Sequence, residues 1–351
     1  MSEQIQTAVM GVSGYAGMEL ARLLLHHPAL RNKPPLFFGR PDSHPEPLVN
    51  MHPQLLDGRG NRCLRVDPFE WQKLEEAGVE VLFLALPHEQ SRTLAPEALE
   101  RGIRVIDLSG AWRLEDAGHR AVYAFEDEGS ETARAIQEQA VYGMPELHRD
   151  KIRSAKLVAN PGCYATSAIL PLKPLVAAGW VDLDRGIVCD SKSGVSGAGK
   201  APTAKTHFMY AANNLSAYGL FGHRHTGELL EQLQLSREQI VFTPHLLPIP
   251  RGILSTIYVH FTEPKHAAEV EICYRSFFAE SPMVRVFAAG QLPQIQYSVN
   301  TSYCDIGFQP DPGGRRCIIV ACLDNLLKGA ASQAVQNLNL MCGWNEAEGL
   351  E

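Results

Sequence analysis

Apolar and polar positions follow two rhythms along this chain. In the first half, short apolar runs alternate with segments of helical period. Residues 4–11 read as a first strand, and residues 15–26 then place Met18, Leu20, Ala21, Leu24 and Leu25 at helical spacing. Residues 36–39 form a second short apolar run. Residues 79–86 form a third, apolar enough to be buried on both faces. A helix is predicted over 91–101, stopped at Gly102, and a fourth strand over 103–108. Strands alternating with helices imply a parallel, doubly wound sheet. The apolar end Leu157–Ala159 then meets a Pro-Gly turn, and a helix is predicted over 166–178. Beyond it the strands are longer and more alternating, over 186–191, 253–261 and 315–323, as in a mixed or antiparallel sheet with one covered face. A tail helix over 325–341 follows the last strand. The Pro-, Gly- and His-rich stretch 40–62 reads as a long surface loop.

At 351 residues the chain exceeds one ordinary core and suits two domains. The reading places a nucleotide-type domain over 1–160 with 325–351, and a second α/β domain over 161–324. A net charge of −7 argues against nucleic acid or an anionic membrane as the main partner. Residues 1–7 are short and polar, without the basic and apolar regions of a secretory signal, and no apolar run reaches the ~18 residues that read as a membrane span. The eight cysteines are scattered without C-x-x-C pairs or histidine-ligand spacing, so no metal is expected and a reducing cytoplasm is.

Six stretches carry candidate chemistry. The first strand feeds Gly11, Ser13, Gly14, Tyr15, Ala16 and Gly17, a G-x-x-G-x-x-G turn before a helix. Such glycines let a backbone approach a pyrophosphate seated on the helix N-terminus. After the second strand Arg40 and Ser43 stand where an acid would serve NAD, which points to the 2′-phosphate of NADP. Cys163 follows the Pro-Gly turn at a helix start, where the orphan N–H groups and the helix dipole favour thiolate. In the run 221–228, His223 and His225 flank Arg224. Such histidines suit acid/base work, and an arginine suits a carboxylate or phosphate. The small-residue loop 193–199 ends in Lys200, and Ser109 and Arg113 follow the fourth strand, two further candidate anion sites. A thiolate nucleophile, a dinucleotide site and several anion sites together fit reduction of an acyl phosphate through a thioester.

With these residues in view the chain resembles the N-acetyl-gamma-glutamyl-phosphate reductase family of the semialdehyde dehydrogenase superfamily. The resemblance spans nearly the whole length. It rests on the glycine turn with Tyr15, residues 84–88, 142–147, 161–167, 196–199, 223–225, 242–248, 251–252 and 324–329. It implies a Rossmann-type domain completed by the C-terminal helix, and a second domain with a mixed sheet that carries homo-oligomer contacts, dimer or tetramer. It also implies NADPH as cofactor and a small acyl phosphate as substrate. Cys163 would be the nucleophile and His223 its acid/base partner, with His225 the lesser choice. Ser196, Gly197 and Asn325 would join the cofactor site, and Arg113, Lys200, Tyr218, Arg224 and His225 the substrate site. The chain departs from the family pattern at Gly110–Trp112 and at Gly227, where the family usually has proline. A reductase of the aminoadipyl homologue, aspartate-semialdehyde dehydrogenase and a silent NADP-binding sensor are the alternatives.

Overall fold

The computed structural model describes residues 5–56 and 63–351. Residues 1–4, at the start of the first strand, and 57–62, inside the 40–62 stretch, lie outside the described residues. The chain forms two units. One comprises residues 1–113, 125–160 and 331–351, the other residues 114–124 and 161–330. The chain therefore passes between them four times. The predicted tail segment enters the first unit at Ala331 rather than at 325, and residues 114–124 belong to the second.

The first unit is built on eight strands: β1 (Gln6–Met10), β2 (Leu36–Gly39), β3 (Glu46–Pro47), β4 (Arg65–Pro68), β5 (Val79–Leu84), β6 (Arg104–Asp107), β7 (Ala140–Tyr142) and β8 (Leu157–Ala159). They lie in the order β3-β4-β2-β1-β5-β6-β8-β7, parallel except for the β3–β4 edge. Helix α1 (Tyr15–His26) follows β1 and α2 (His88–Glu100) follows β5. Every residue of β1 and all but one of β5 is buried, as their unbroken apolar runs require. The stretch read as a loop is more ordered than its composition suggests. Its described part, 40–56, carries β3 and two short helical turns. Leu48 and Leu55 are buried there, and the His52 ring lies 2.8 Å from the Val12 carbonyl, which ties the stretch to the glycine turn.

The second unit has seven strands: β9 (Ile187–Gly194), β10 (Ser216–Ala217), β11 (Ile240–Leu247), β12 (Ile253–His260), β13 (Val284–Val286), β14 (Cys304–Pro310) and β15 (Arg316–Leu323), ordered β10-β11-β9-β12-β15-β14-β13. β11–β9 and β13–β14 are parallel and the other pairs antiparallel, so the sheet is mixed. Four further helices matter below: α3 (Cys163–Ala177), α4 (Thr226–Leu233), α5 (Ala267–Phe277) and α6 (Ser332–Met341), the last returning to the first unit. α6 is buried along its whole length despite four polar amides. Their side-chain nitrogens all find acceptors, among them Asn337 Nδ2, which donates to the Gly143 carbonyl at 2.9 Å and to Asn160 Oδ1 at 3.1 Å. Among the described residues no helix is long and apolar enough to cross a membrane.

Candidate active site

In the first unit the glycine turn is dictated by close approach. Gly11 has φ +90°, and a Cβ there would lie 2.2 Å from the Ala85 carbonyl oxygen. A Cβ on Gly17, in the first turn of α1, would lie 2.2 Å from the Gly11 carbonyl oxygen. Gly14 is the N-cap of α1, and Tyr15 and Ala16 begin the helix. Gly11 and Ser13 line a cavity of ≈ 600 Å³ whose walls include Phe38, Phe69 and Leu86 and whose polar lining includes Arg40 and Ser43. Arg40 is exposed, 3.6 Å from Asp42, and Ser43 Oγ donates to the Arg40 carbonyl at 2.6 Å. An apolar slot beside backbone N–H groups and a cation fits a dinucleotide.

Ser109 and Arg113 stand differently from their sequence reading. Ser109 Oγ donates to buried Asp107 at 2.8 Å. Arg113 Nε donates to the Asn160 carbonyl at 2.7 Å and its Nη2 to the Leu108 carbonyl at 2.8 Å. The buried guanidinium braces two strand ends of its own unit.

In the second unit Cys163 is the first residue of α3, with Gly162 as N-cap. It is half-buried, and no disulfide joins the eight cysteines. Burial pushes the Cys189, Cys317 and Cys322 thiols up to about 12, so those three are inert at neutral pH. Cys163 instead lines a cavity of ≈ 610 Å³ shared with Tyr218, His223, Arg224, His225, Gly197 and Lys205. Cys163 is itself packed tightly: a Cβ on Gly329 would lie 2.7 Å from the Cys163 Cβ.

The two histidines have unlike surroundings. His223 is ringed by Tyr164, Tyr218 and Phe242 at centroid distances of 5.6, 5.5 and 5.4 Å, and its Nδ1 accepts the His225 N–H at 3.1 Å. Burial, reinforced by the Arg224 charge, pushes its pKa down to about 4, so it is neutral at physiological pH. His225 Nε2 lies against the nucleophile's turn, 2.5 Å from the point a Gly162 Cβ would occupy. Tyr164 donates to the His245 carbonyl at 2.6 Å, and burial pushes Tyr218 up to about 12.

Other expected site residues divide. Ser196 and Asn325 are joined, Asn325 Nδ2 donating to Ser196 Oγ at 2.9 Å and its Oδ1 accepting the Gly252 N–H at 2.8 Å. Asn325 is only 2% exposed, so it holds the 196–197 loop in place. Lys200 is exposed and is not among the cavity's lining residues, whereas Lys205 is. Nothing in the sequence ranked Lys205 above Lys200. Glu228 was also missed, although it stands three residues after His225, one helical turn on. Among the described residues no group of three or more His, Cys, Asp or Glu side chains is placed to hold a metal.

Two family models match the chain. The semialdehyde dehydrogenase NAD-binding domain matches residues 6–155, and the semialdehyde dehydrogenase dimerisation domain residues 163–325. N-acetyl-gamma-glutamyl-phosphate reductase of Moorella thermoacetica is 40% identical, covering 99% of this chain and 98% of that one. The enzyme of the same name from Symbiobacterium thermophilum is 41% identical, covering 99% and 97%. Among solved structures, aspartate semialdehyde dehydrogenase II of Vibrio cholerae, complexed with ASA, has a TM-score of 0.70 at 19% identity and covers 97% of this chain and 98% of that one. The NADP complex of the Candida albicans aspartate semialdehyde dehydrogenase has a TM-score of 0.67 at 14% identity. At such identity these two structures speak for the fold alone. The parallel nucleotide-type sheet, the mixed second sheet and full-length identity near 40% agree, and the chain belongs to the N-acetyl-gamma-glutamyl-phosphate reductase family of semialdehyde dehydrogenases.

Proposed function

We propose that this enzyme reduces N-acetyl-gamma-glutamyl phosphate to N-acetylglutamate 5-semialdehyde and phosphate, the chemistry its relatives' name describes, as a cytoplasmic homo-oligomer serving arginine biosynthesis. The observation that carries the reading is Cys163, half-buried at the first position of α3 and lining a cavity with His223, His225 and Arg224. Helix-start N–H groups and dipole favour the thiolate, which attacks the acyl carbon. The carbon–oxygen bond to phosphate breaks, phosphate leaves, and the acyl group stays on Cys163 as a thioester. NADPH, when bound, would supply the hydride that reduces this thioester. The tetrahedral alkoxide so formed takes a proton from a neighbouring histidine acting as acid and returns it to that histidine as the carbonyl re-forms, the sulfur–carbon bond breaks and Cys163 departs as thiolate.

Gly11 to Gly17, Arg40 and Ser43 would hold the NADPH, with Ser196, Gly197 and Asn325 toward its nicotinamide end. The Arg40–Asp42 pair is exposed and therefore weak, so the Arg40 guanidinium can turn to a 2′-phosphate. Tyr218, Arg224 and Lys205 would serve the substrate's anionic ends, with Lys200 the remaining candidate. His223 is the first candidate for the base. A second reading gives that role to His225, because a histidine held near 4 accepts a proton poorly at neutral pH and because His225 Nε2 packs on the residue before Cys163.

The test is phosphate-dependent reduction of NADP with N-acetylglutamate 5-semialdehyde, beside aspartate semialdehyde and the aminoadipyl homologue. Cys163→Ala should lower turnover by ~10⁴-fold or more while NADPH binding persists. Activity with another aldehyde only would move the substrate. Substantial activity in the variant would remove the covalent route.

A further inference from the structure

Glu228 is fully buried, though a carboxylate alone in a protein interior is costly. It lies on the first turn of α4, and its Oε2 accepts the Gly162 N–H at 2.9 Å. Its Oε1 lies 2.7 Å from the point a Gly162 Cβ would occupy, and His225 Nε2 lies 2.5 Å from that same point. Two side chains of one helix start thus fill the space a side chain at 162 would need. Cys163 is the next residue.

Nucleophile and histidines come from different elements, α3 and the run leading into α4. A charge-assisted hydrogen bond from the α3 N-cap to the α4 carboxylate fixes their spacing. We infer that Glu228 is a positioning residue: by accepting the Gly162 N–H it holds the Pro161–Cys163 turn against the histidine-bearing start of α4 and so sets the reach between thiol and imidazole. α4 is itself held from behind. Glu231, one turn further on, accepts the N–H groups of Glu115 and Asp116 at 2.8 and 3.1 Å and pairs with His119 Nδ1 at 2.9 Å. A Cβ on Gly227 would meet Leu114 Cδ1 at 3.0 Å and His119 Cβ at 3.1 Å, so the start of α4 packs closely on the 114–124 segment. The 114–124 excursion therefore seats α4, and Glu228 transmits that seating to the nucleophile.

The inference rests on Cys163 being the nucleophile, so its test includes a readout that needs no substrate. Alkylation of Cys163 by iodoacetamide is followed by mass spectrometry in the full-length protein, beside steady-state kinetics, for Glu228→Gln, Glu228→Asp and Glu228→Ala. Glutamine keeps an acceptor oxygen at the same reach. Aspartate is one methylene short. We expect glutamine to stay within about threefold of wild type in kcat and in alkylation rate. Aspartate should lose about 10²-fold in kcat with KM nearly unchanged, together with a changed alkylation rate, the scale set by a misplacement of ~1 Å. Should alanine fail to fold, the glutamine–aspartate pair still decides. Wild-type kcat and alkylation in aspartate would overturn the inference, as would equal losses in glutamine and aspartate. If alkylation follows the expected order but no aldehyde is turned over by wild type, the positioning role stands and the proposed reaction falls.

Discussion

The two cavities are of nearly equal size and are made in opposite ways. That of the first unit is a backbone site. Its glycine turn is contiguous, its tolerances are set by carbonyl oxygens 2.2 Å from missing Cβ atoms, and its walls are apolar residues of adjacent parallel strands and the helix that follows. That of the second unit is a side-chain site, gathered from the start of α3, the end of β9, the 203–219 stretch, the histidine run and the end of β11. A backbone site fails when atoms are added, and a side-chain site fails when they are removed or mis-set. On the proposed function, glycines would be the hardest residues to replace in one cavity and Cys163 in the other.

The sharpest break between the two sites is Gly17→Ala. The added methyl has no space beside the Gly11 carbonyl, so cofactor affinity should fall by ~10²-fold or more, read by fluorescence titration with NADPH. Cys163 alkylation should stay at the wild-type rate, because the second cavity takes none of its lining from this turn. A parallel loss of thiol reactivity would show that the sites are not separately built.

Charge removal should have smaller effects. Arg40→Ala should weaken NADPH by about tenfold and leave NADH unchanged, since only the 2′-phosphate distinguishes them. On the other unit, Lys205→Ala should raise substrate KM by about tenfold and Lys200→Ala by less than twofold. Equal effects of the two lysines would give Lys200 back the role the sequence suggested.

The smallest effect expected is on acid stability. The His223 ordinary value of 6.5 drops to about 4 in the folded protein, so the unfolded chain binds a proton there first as pH falls. Its contribution is intact above pH 6.5 and lost progressively down to about 4. Melting temperature of wild type against His223→Phe over this window should show a shallower acid decline in the variant. Identical slopes would mean that His223 is not held neutral.

Much of this was legible from residues 4–39, 79–108 and 157–178, because apolar period and glycine spacing act over short range. Helix α1 and strand β2 fall where the pattern puts them. Less legible were the elements whose order depends on distant partners. The 40–62 stretch is rich in loop formers, yet Leu48, Leu55 and His52 anchor it to the first unit's core and glycine turn. The Arg113 contact with the Asn160 carbonyl was not legible, because only the fold brings residues 47 positions apart together. Glu228 looks like an ordinary acid in a helix's first turn. Only the fold brings Gly162 to it.

The four passages of the chain between the units set an order of maturation during synthesis. Residues 161–330 of the second unit follow an early excursion at 114–124, and all are made before the last segment of the first unit leaves the ribosome. The fully buried α6 arrives last. Until then the Gly143 carbonyl, Asn160 Oδ1 and Arg104 lack the Asn337 and Met341 groups that satisfy them. The domain begun first is therefore finished last, and a chain truncated before Ala331 would present an open cleft where its C-terminal helix belongs.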